Sequence, residues 1–340
     1  MSAVDMAASK WSINRDYKGL FIFYKKGRMA MTRYVIRRIL NLIPTLLAVI
    51  FIVFFITSLT PGDPGTLILG DTASKEAIYE FNESVGYNDP FIIRYLNYII
   101  GILHGSLGSS WRTGMPLLTE VLGRLPVSAT LAAGAMVFGA VIGISLGIIS
   151  AVKQYSILDY TTTTIAMILA SFPGFWIGMI MIVVFSLYLG WFPAFGIGSV
   201  RHYILPWITT GCAYVASLLR LTRTSMLESI RMDYIRTARA KGQKESIVVL
   251  RHALRNALLP VVTSLGMSFG VLLGGTVTIE SVFSLPGVGT MIIEAIRLKD
   301  IPLVVGGTVS LCTGFTIVMV IVDISYAFID PRIKSRYMKR

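Results

Sequence analysis

Asp233-Tyr234-Ile235-Arg236-Thr237-Ala238-Arg239-Ala240-Lys241-Gly242 is a polar, small-residue segment set between long apolar runs. It is too polar to span a bilayer and too rich in helix formers to be a plain connector. Asp233 is placed to cap a helix N-terminus, Ala238 and Ala240 favour helix and keep its surface low, and Gly242 suits a left-handed stop. The reading that follows is a short docking helix that takes in motion or energy from another protein.

The flanking composition sets the solvent. Hydrophobic residues make up 54% of the chain and charged residues 14%, with a mean hydropathy of +0.70. A soluble domain carries about 25% charged residues, so this apolar surface cannot be hidden in one aqueous core. A span needs about 20 apolar residues, and candidates lie at 37–59, 129–151, 160–189, 204–224, 257–279 and 303–327. The expected fold is an all-α integral membrane protein of six transmembrane helices, with a long external loop between the first two. Lys10, Arg15, Lys18, Lys25, Lys26 and Arg28 precede the first apolar run with no cleavage pattern between. Residues 1–33 therefore read as a cytoplasmic extension before an uncleaved first helix.

The fourth span is the weak one, because Arg220 and Arg223 end its apolar run. Charge decides in its favour. With six spans and the N-terminus inside, Lys and Arg divide 24 inside to 7 outside, which obeys the positive-inside rule. Omitting that span would put the basic tail Arg332, Lys334, Arg336, Lys339 and Arg340 outside.

Several function classes lack their residues. The net charge of +13 sits at membrane ends, not on a basic soluble face, so no nucleic-acid partner is expected and membrane lipid is. No GxxxxGK[ST] phosphate loop occurs, and His104, His202 and His252 have no partners at metal spacing. No catalytic, cofactor or metal residue is assigned, and the chain is not expected to be an enzyme. Cys212 and Cys312 lie inside spans and read as buried structural thiols. The glycines of Gly270–Gly275 and Gly306-Gly307 read as helix-packing positions. Pro44, Pro173-Gly174 and Pro260 are expected to interrupt spans, and Asp323 to face inward or lie at an interface.

In chain order, several motifs carry a resemblance. Arg37-Arg38-Ile39-Leu40 and Ile43-Pro44-Thr45-Leu46 lead to Pro61-Gly62-Asp63-Pro64, then Gly86 with Asp89-Pro90, then Ser106-Leu107-Gly108. Asp233 to Gly242 is followed by Arg251-His252-Ala253-Leu254-Arg255-Asn256 and Leu259-Pro260. Glu280-Ser281-Val282-Phe283-Ser284-Leu285-Pro286-Gly287-Val288-Gly289 and Asp330-Pro331-Arg332 complete the series. From about Met31 to its end the chain resembles the inner-membrane permease subunits of dipeptide/oligopeptide-type ABC transporters. It departs at Ser106, where that family commonly has an acidic residue.

The resemblance implies a type I importer permease core over 128–340, behind a first helix and external loop over 34–127. It implies that Asp233, Tyr234, Arg236, Thr237, Ala238, Arg239, Ala240, Lys241 and Gly242 form a coupling helix seated in a groove of a cytoplasmic ATPase. Partners would be a homologous second permease, two ATPase subunits that bind ATP and Mg, and an extracytoplasmic substrate-binding protein received by the loop. The place would be a bacterial or archaeal inner membrane, with both termini cytoplasmic. The cargo would be a di- or oligopeptide, or else a nickel chelate, glutathione or an oligosaccharide. From the residues alone two alternatives stay open: α-helical docking against lipid head groups for the 233–242 segment, and a stand-alone channel or secondary transporter for the chain.

Overall fold

The computed structural model describes residues 36, 40–41, 43–59, 63–70 and 72–329, with backbone alone for Leu273 and for 323–329. The N-terminal extension, the Arg37-Arg38 and Pro61-Gly62 pairs, the Asp323 side chain and the Asp330-Pro331-Arg332 ending lie outside the described residues. Two compact units divide the chain, one of Leu46–Val318 and one joining Met1–Thr45 to Met319–Arg340. All contacts given below lie within the larger unit.

The described residues fold into helices. In chain order they are α1 (Ile43–Leu59), α2 (Pro64–Leu69), α3 (Lys75–Ser84), α4 (Phe91–Leu103), α5 (Leu117–Val152), α6 (Ile157–Ser171) and α7 (Gly174–Met181). A π-helical turn, Ile182–Tyr188, extends α7. There follow α8 (Arg201–Ile230), α9 (Asp233–Ala240) and α10 (Glu245–Ile247), which passes through a second π-helical turn, Val248–Ala253, into α11 (Leu254–Gly275). Last come α12 (Val277–Val282), α13 (Val288–Arg297) and α14 (Ile301–Ile329). Four described helices are long and apolar enough to cross a membrane, over Leu117–Val152, Arg201–Ile230, Glu245–Leu272 and Ile301–Val322. Helix α6 with the extended α7 makes a fifth if the pair is one span. The expected first span, 37–59, is continuous among the described residues only from Ile43 to Leu59.

One expected span is lengthened and one expected break is absent. The 129–151 span is the apolar part of a 36-residue helix about 54 Å long, well over a bilayer core of about 30 Å. Its first turns are polar, with Glu120 and Arg124 paired at 3.4 Å. Pro260 does not break the fifth span, because α11 runs through it; a long helix loses only one backbone bond there. At Pro173 the break is real. Phe172 is driven into extended backbone, as residues before proline are, and α6 meets α7 at 101°.

The central seam joins α5 to α8 through glycines at every fourth position. A Cβ on Gly143 would lie 2.9 Å from Val215 O and from Leu218 Cβ, and one on Gly147 would lie 2.6 Å from Thr222 Cβ. From the other side, a Cβ on Gly211 would lie 2.6 Å from Phe138 Cδ1. Backbones that close gain dispersion contacts that side chains would prevent, the usual basis of helix pairing in lipid. Gly306 and Gly307 also pack, against Leu117 and Ile292. Gly274 and Gly275 have open space where a side chain would go.

Three carboxylates fix the ends of helices, Asp300 and Glu280 buried and Asp63 half-buried. Asp63 caps α2 by accepting from Thr66 N at 2.8 Å, and it accepts from Asn82 Nδ2 at 2.8 Å, while Gly65 N donates to Asn82 Oδ1. The Asp-Pro pair thereby locks α2 onto α3. Asp300 accepts from Ser110 Oγ and from Trp111 N, tying the turn before α5 to the start of α14. Glu280 is fully enclosed. Its Oε1 accepts from Ser128 Oγ at 2.7 Å and Thr276 Oγ1 at 2.9 Å, and its Oε2 accepts from Thr290 N at 3.0 Å. A Cβ on Gly287 would lie 2.3 Å from that carboxylate, which explains the glycine in Pro286-Gly287-Val288-Gly289.

Candidate functional site

Helix α9 begins where α8 stops, after a reversal at Arg231-Met232. Ile235 N donates to Met232 O at 3.0 Å, so Met232, in extended backbone, occupies the capping position. The expected cap at Asp233 is thus displaced by one residue, and the helix has no side-chain cap bond. Asp233 still favours the start of the helix through the helix dipole, and its exposed carboxylate lies 3.6 Å from Arg236 Nη1.

The helix has two faces. Ile235 and Ala238 are buried in a cluster with Ala151 of α5, Met226 of α8, Val248, Val249 and Ala253 of the π turn, and Ala257 of α11. Ala238 therefore seats α9 on its own chain and does not present a low surface outward. Asp233, Arg236, Thr237, Ala240 and Lys241 are exposed on the other side. Spacing of three between the buried positions, with polar residues around them, is what an amphipathic helix requires.

Both ends are bonded as well as packed. Asn256 Nδ2 donates to Tyr234 Oη at 3.0 Å, Tyr234 Oη lies 2.7 Å from Ser229 Oγ, and Ser229 Oγ donates to Ala253 O at 2.9 Å. Only one direction serves the whole chain, with the tyrosine donating to the serine. At the exit Gly242 takes φ +73°, as expected of a helix stop, and its N–H donates to Arg239 O at 2.9 Å. Nothing lies within 4 Å of a Cβ there, so the demand for glycine is one of backbone conformation, not of space. Arg239 reaches across the turn and donates to both oxygens of Glu245, at 2.6 and 3.1 Å. His252 Nε2 bonds Gln243 Oε1 at 2.8 Å beside it.

The nine expected residues therefore form one short element, but they divide by role. Tyr234, Ala238 and Arg239 hold α9 in its seat, Gly242 turns the chain, and Asp233, Arg236, Thr237, Ala240 and Lys241 face out. Ser229, Asn256, Ile235 and Glu245 join the site although composition did not single them out. Asn256 closes the Arg251–Asn256 motif and Glu245 opens α10, but neither position by itself points to a bond with α9.

The sequence matches the family described as binding-protein-dependent transport system inner membrane component over residues 143–335, and that family's N-terminal region over residues 31–132. The chain belongs to that family.

This permease is 39% identical over 332 residues to the dipeptide transport system permease protein DppB of Alkalihalophilus pseudofirmus, covering 89% of the chain and all of the relative. It is 40% identical over 306 residues to the glutathione transport system permease protein GsiC of Escherichia coli strain K12, covering 90% of the chain and all of the relative. A solved structure of the MetNI methionine ABC transporter aligns with a TM-score of 0.53 at 19% identity, over 63% of this chain and 98% of the other. That likeness is one of fold. The permease is a multi-pass membrane subunit of an ABC importer.

Proposed function

We propose that this permease, with a homologous second permease, forms the path by which di- or oligopeptides or a peptide-like solute enter the cell. An extracytoplasmic binding protein delivers the solute, and two cytoplasmic ATPases, which bind ATP and Mg, drive the cycle through α9. The seating of α9 carries this reading. An outward polar face backed by Ile235 and Ala238, in one apolar cluster with the π turn that leads into α11 and with residues of α5 and α8, gives a partner something to push and a seat to push through. The positive balance toward the 220–256 segment supports placing α9, and both termini, on the cytoplasmic side of an inner membrane.

On this reading residues 1–33 are a cytoplasmic extension, 34–127 hold the first span and external region, and 128–340 form the permease domain, completing six spans. The external region is α2 to α4 and the Ser109–Pro116 turn, locked by Asp63 and Asp300. Such an ordered platform suits reception of the binding protein. The outcome of each cycle depends on differential affinity of that protein and of ATP for the two access states.

The test is reconstitution of the assembled importer in liposomes with labelled dipeptides, tripeptides and glutathione. Uptake that requires ATP, the binding protein and both permeases is expected, with a peptide-like solute preferred over nickel chelates and oligosaccharides. Uptake by the purified chain alone would instead establish a channel or secondary transporter.

A further inference from the structure

Asp159 sits two residues into α6 with its side chain only 3% exposed. Arg223 of α8 grips both oxygens, Nε to Oδ1 at 2.8 Å and Nη2 to Oδ2 at 2.8 Å. Ser150 Oγ of α5 donates to Oδ1, and Tyr155 N donates to Oδ2 at 3.0 Å from a residue with φ +64°. Four donors from α5, the connecting turn and α8 thus converge on one carboxylate. A two-pronged arginine bond fixes orientation as well as distance.

The placement of this cluster gives it meaning. Ala151, next to Ser150, and Met226, three residues beyond Arg223, belong to the apolar seat of Ile235 and Ala238. One turn of α5 and one turn of α8 therefore contribute both to the apolar cluster of α9 and to the donors around Asp159. Helix α6 continues from Asp159 along α8, with Ala166 packed beside Ala216 and Leu219, and ends at the 101° break before α7. Beyond that break α7 keeps α8 as a partner, with Gly178 against Thr209, and adds Phe283 and Val282 at the end of α12.

We propose that Asp159, Arg223 and Ser150 are positioning residues for energy coupling, which tie α6 to the seat of α9 so that displacement of α9 swings α6 about the Pro173 break. The proposal rests on the reading of α9 as the ATPase-docking helix. Apolar contacts alone would let α6 slide along α8 under load. The two-point ion pair resists that sliding because any shift strands a buried charge.

The experiment measures solute imported per ATP hydrolysed by the assembled importer in liposomes. In Asp159→Asn or Arg223→Gln, hydrolysis persists while the ratio falls about 2- to 30-fold, the range expected for a residue within a coupling network. The double variant is no worse than either single one, and Arg223→Lys, which keeps the charge without the fork, falls between. Should Asp159→Asn fail to assemble, Ser150→Ala leaves the ion pair in place and is expected to give a smaller fall in the same ratio. An unchanged ratio in Asp159→Asn, or in Ser150→Ala where that variant replaces it, overturns the proposal. So does a loss of hydrolysis and uptake in equal proportion. A Gly242→Val arm separates the two readings: if it lowers the ratio and the Asp159 variants do not, only this inference fails, and if neither lowers it, the docking role of α9 fails first.

Discussion

Tyr234 donates its hydroxyl hydrogen to Ser229 Oγ across 2.7 Å, so the first turn of α9 is bonded to the last turn of α8. Because Ser229 Oγ in turn donates to Ala253 O, the same bond reaches the π turn that leads into α11. Helix α9 is thereby held between the two long helices that flank it.

Removing that link should loosen α9 without unfolding the bundle. Tyr234→Phe deletes a hydrogen bond with a net value of about 1 kcal/mol. Ile235→Ala truncates a fully buried side chain and should cost about 2–5 kcal/mol locally. Amide exchange of residues 233–242 in the assembled importer is expected to quicken modestly in the first variant and strongly in the second. Thr237→Ala, on the exposed face, should leave it unchanged.

The glycine seam between α5 and α8 predicts a sharp size limit. Gly147→Val would drive atoms into Thr222 Cβ and Leu219 O, where a bare Cβ already sits at 2.6 and 2.8 Å. Overpacking of this kind costs about 1–3 kcal/mol, and here the neighbour is partly backbone. Thermal denaturation of the solubilised complex should therefore shift downward for Gly147→Val and for Gly143→Leu. Gly123→Ala, in the same helix with open space around it, should be neutral or gain up to about 1 kcal/mol in helix propensity.

Glu280 makes a prediction about polarity at constant shape. Glu280→Ala leaves Thr276 Oγ1, Ser128 Oγ and Thr290 N to find new partners in an enclosed site, each at about 1–3 kcal/mol if orphaned. Glu280→Gln keeps one acceptor, and the two hydroxyls can rotate to accept from its amide. Complex yield and melting temperature should fall for the alanine variant and recover largely for glutamine. Equal losses would mean that the charge itself is required.

What was legible in the sequence was what periodicity and composition encode. The long apolar runs became α5, α8, α11 and α14, and Gly242 stopped α9 with the expected positive φ. The α5–α8 seam was present as Gly139, Gly143 and Gly147 at fourfold spacing, yet a small-residue row does not say which helix lies against it. Arg223 read as a flaw in a span, because its partner Asp159 is 64 residues away and only the fold brings them together. The cap at Asp233 was misplaced by one residue, since Met232 takes the capping backbone conformation without a capping side chain. Helices α12 and α13 are too short to stand out as spans, although α13 buries a stripe of Val288, Met291 and Ala295, and the turn between them is set by the Glu280 network.

The Asp63 site carries a pH signature. Its carboxyl titrates below the ordinary value: burial acts to raise it, but the bonds from Asn82 and from Thr66 outweigh burial. The unfolded segment, with an aspartate value of about 3.9, binds a proton more readily than the folded one. The stabilisation is then fully present above that value and is lost as pH falls through the depressed one. Protection of α2 and α3 against exchange should be flat from pH 7 to about 5 and decline at more acid pH. Asp63→Asn should lower it at neutral pH and remove the decline.

The most direct test of the docking role puts a single cysteine at Ala240, which faces out, in a chain whose Cys212 and Cys312 are replaced by alanine. In the assembled importer a short cross-linker should join position 240 to an ATPase subunit, with a yield that changes when ATP is bound, while Ala238→Cys on the buried face stays unlinked. A cysteine at 240 that is reached by a lipid-phase reagent and never by an ATPase subunit would contradict the account, and would leave α9 as a helix lying on the membrane surface.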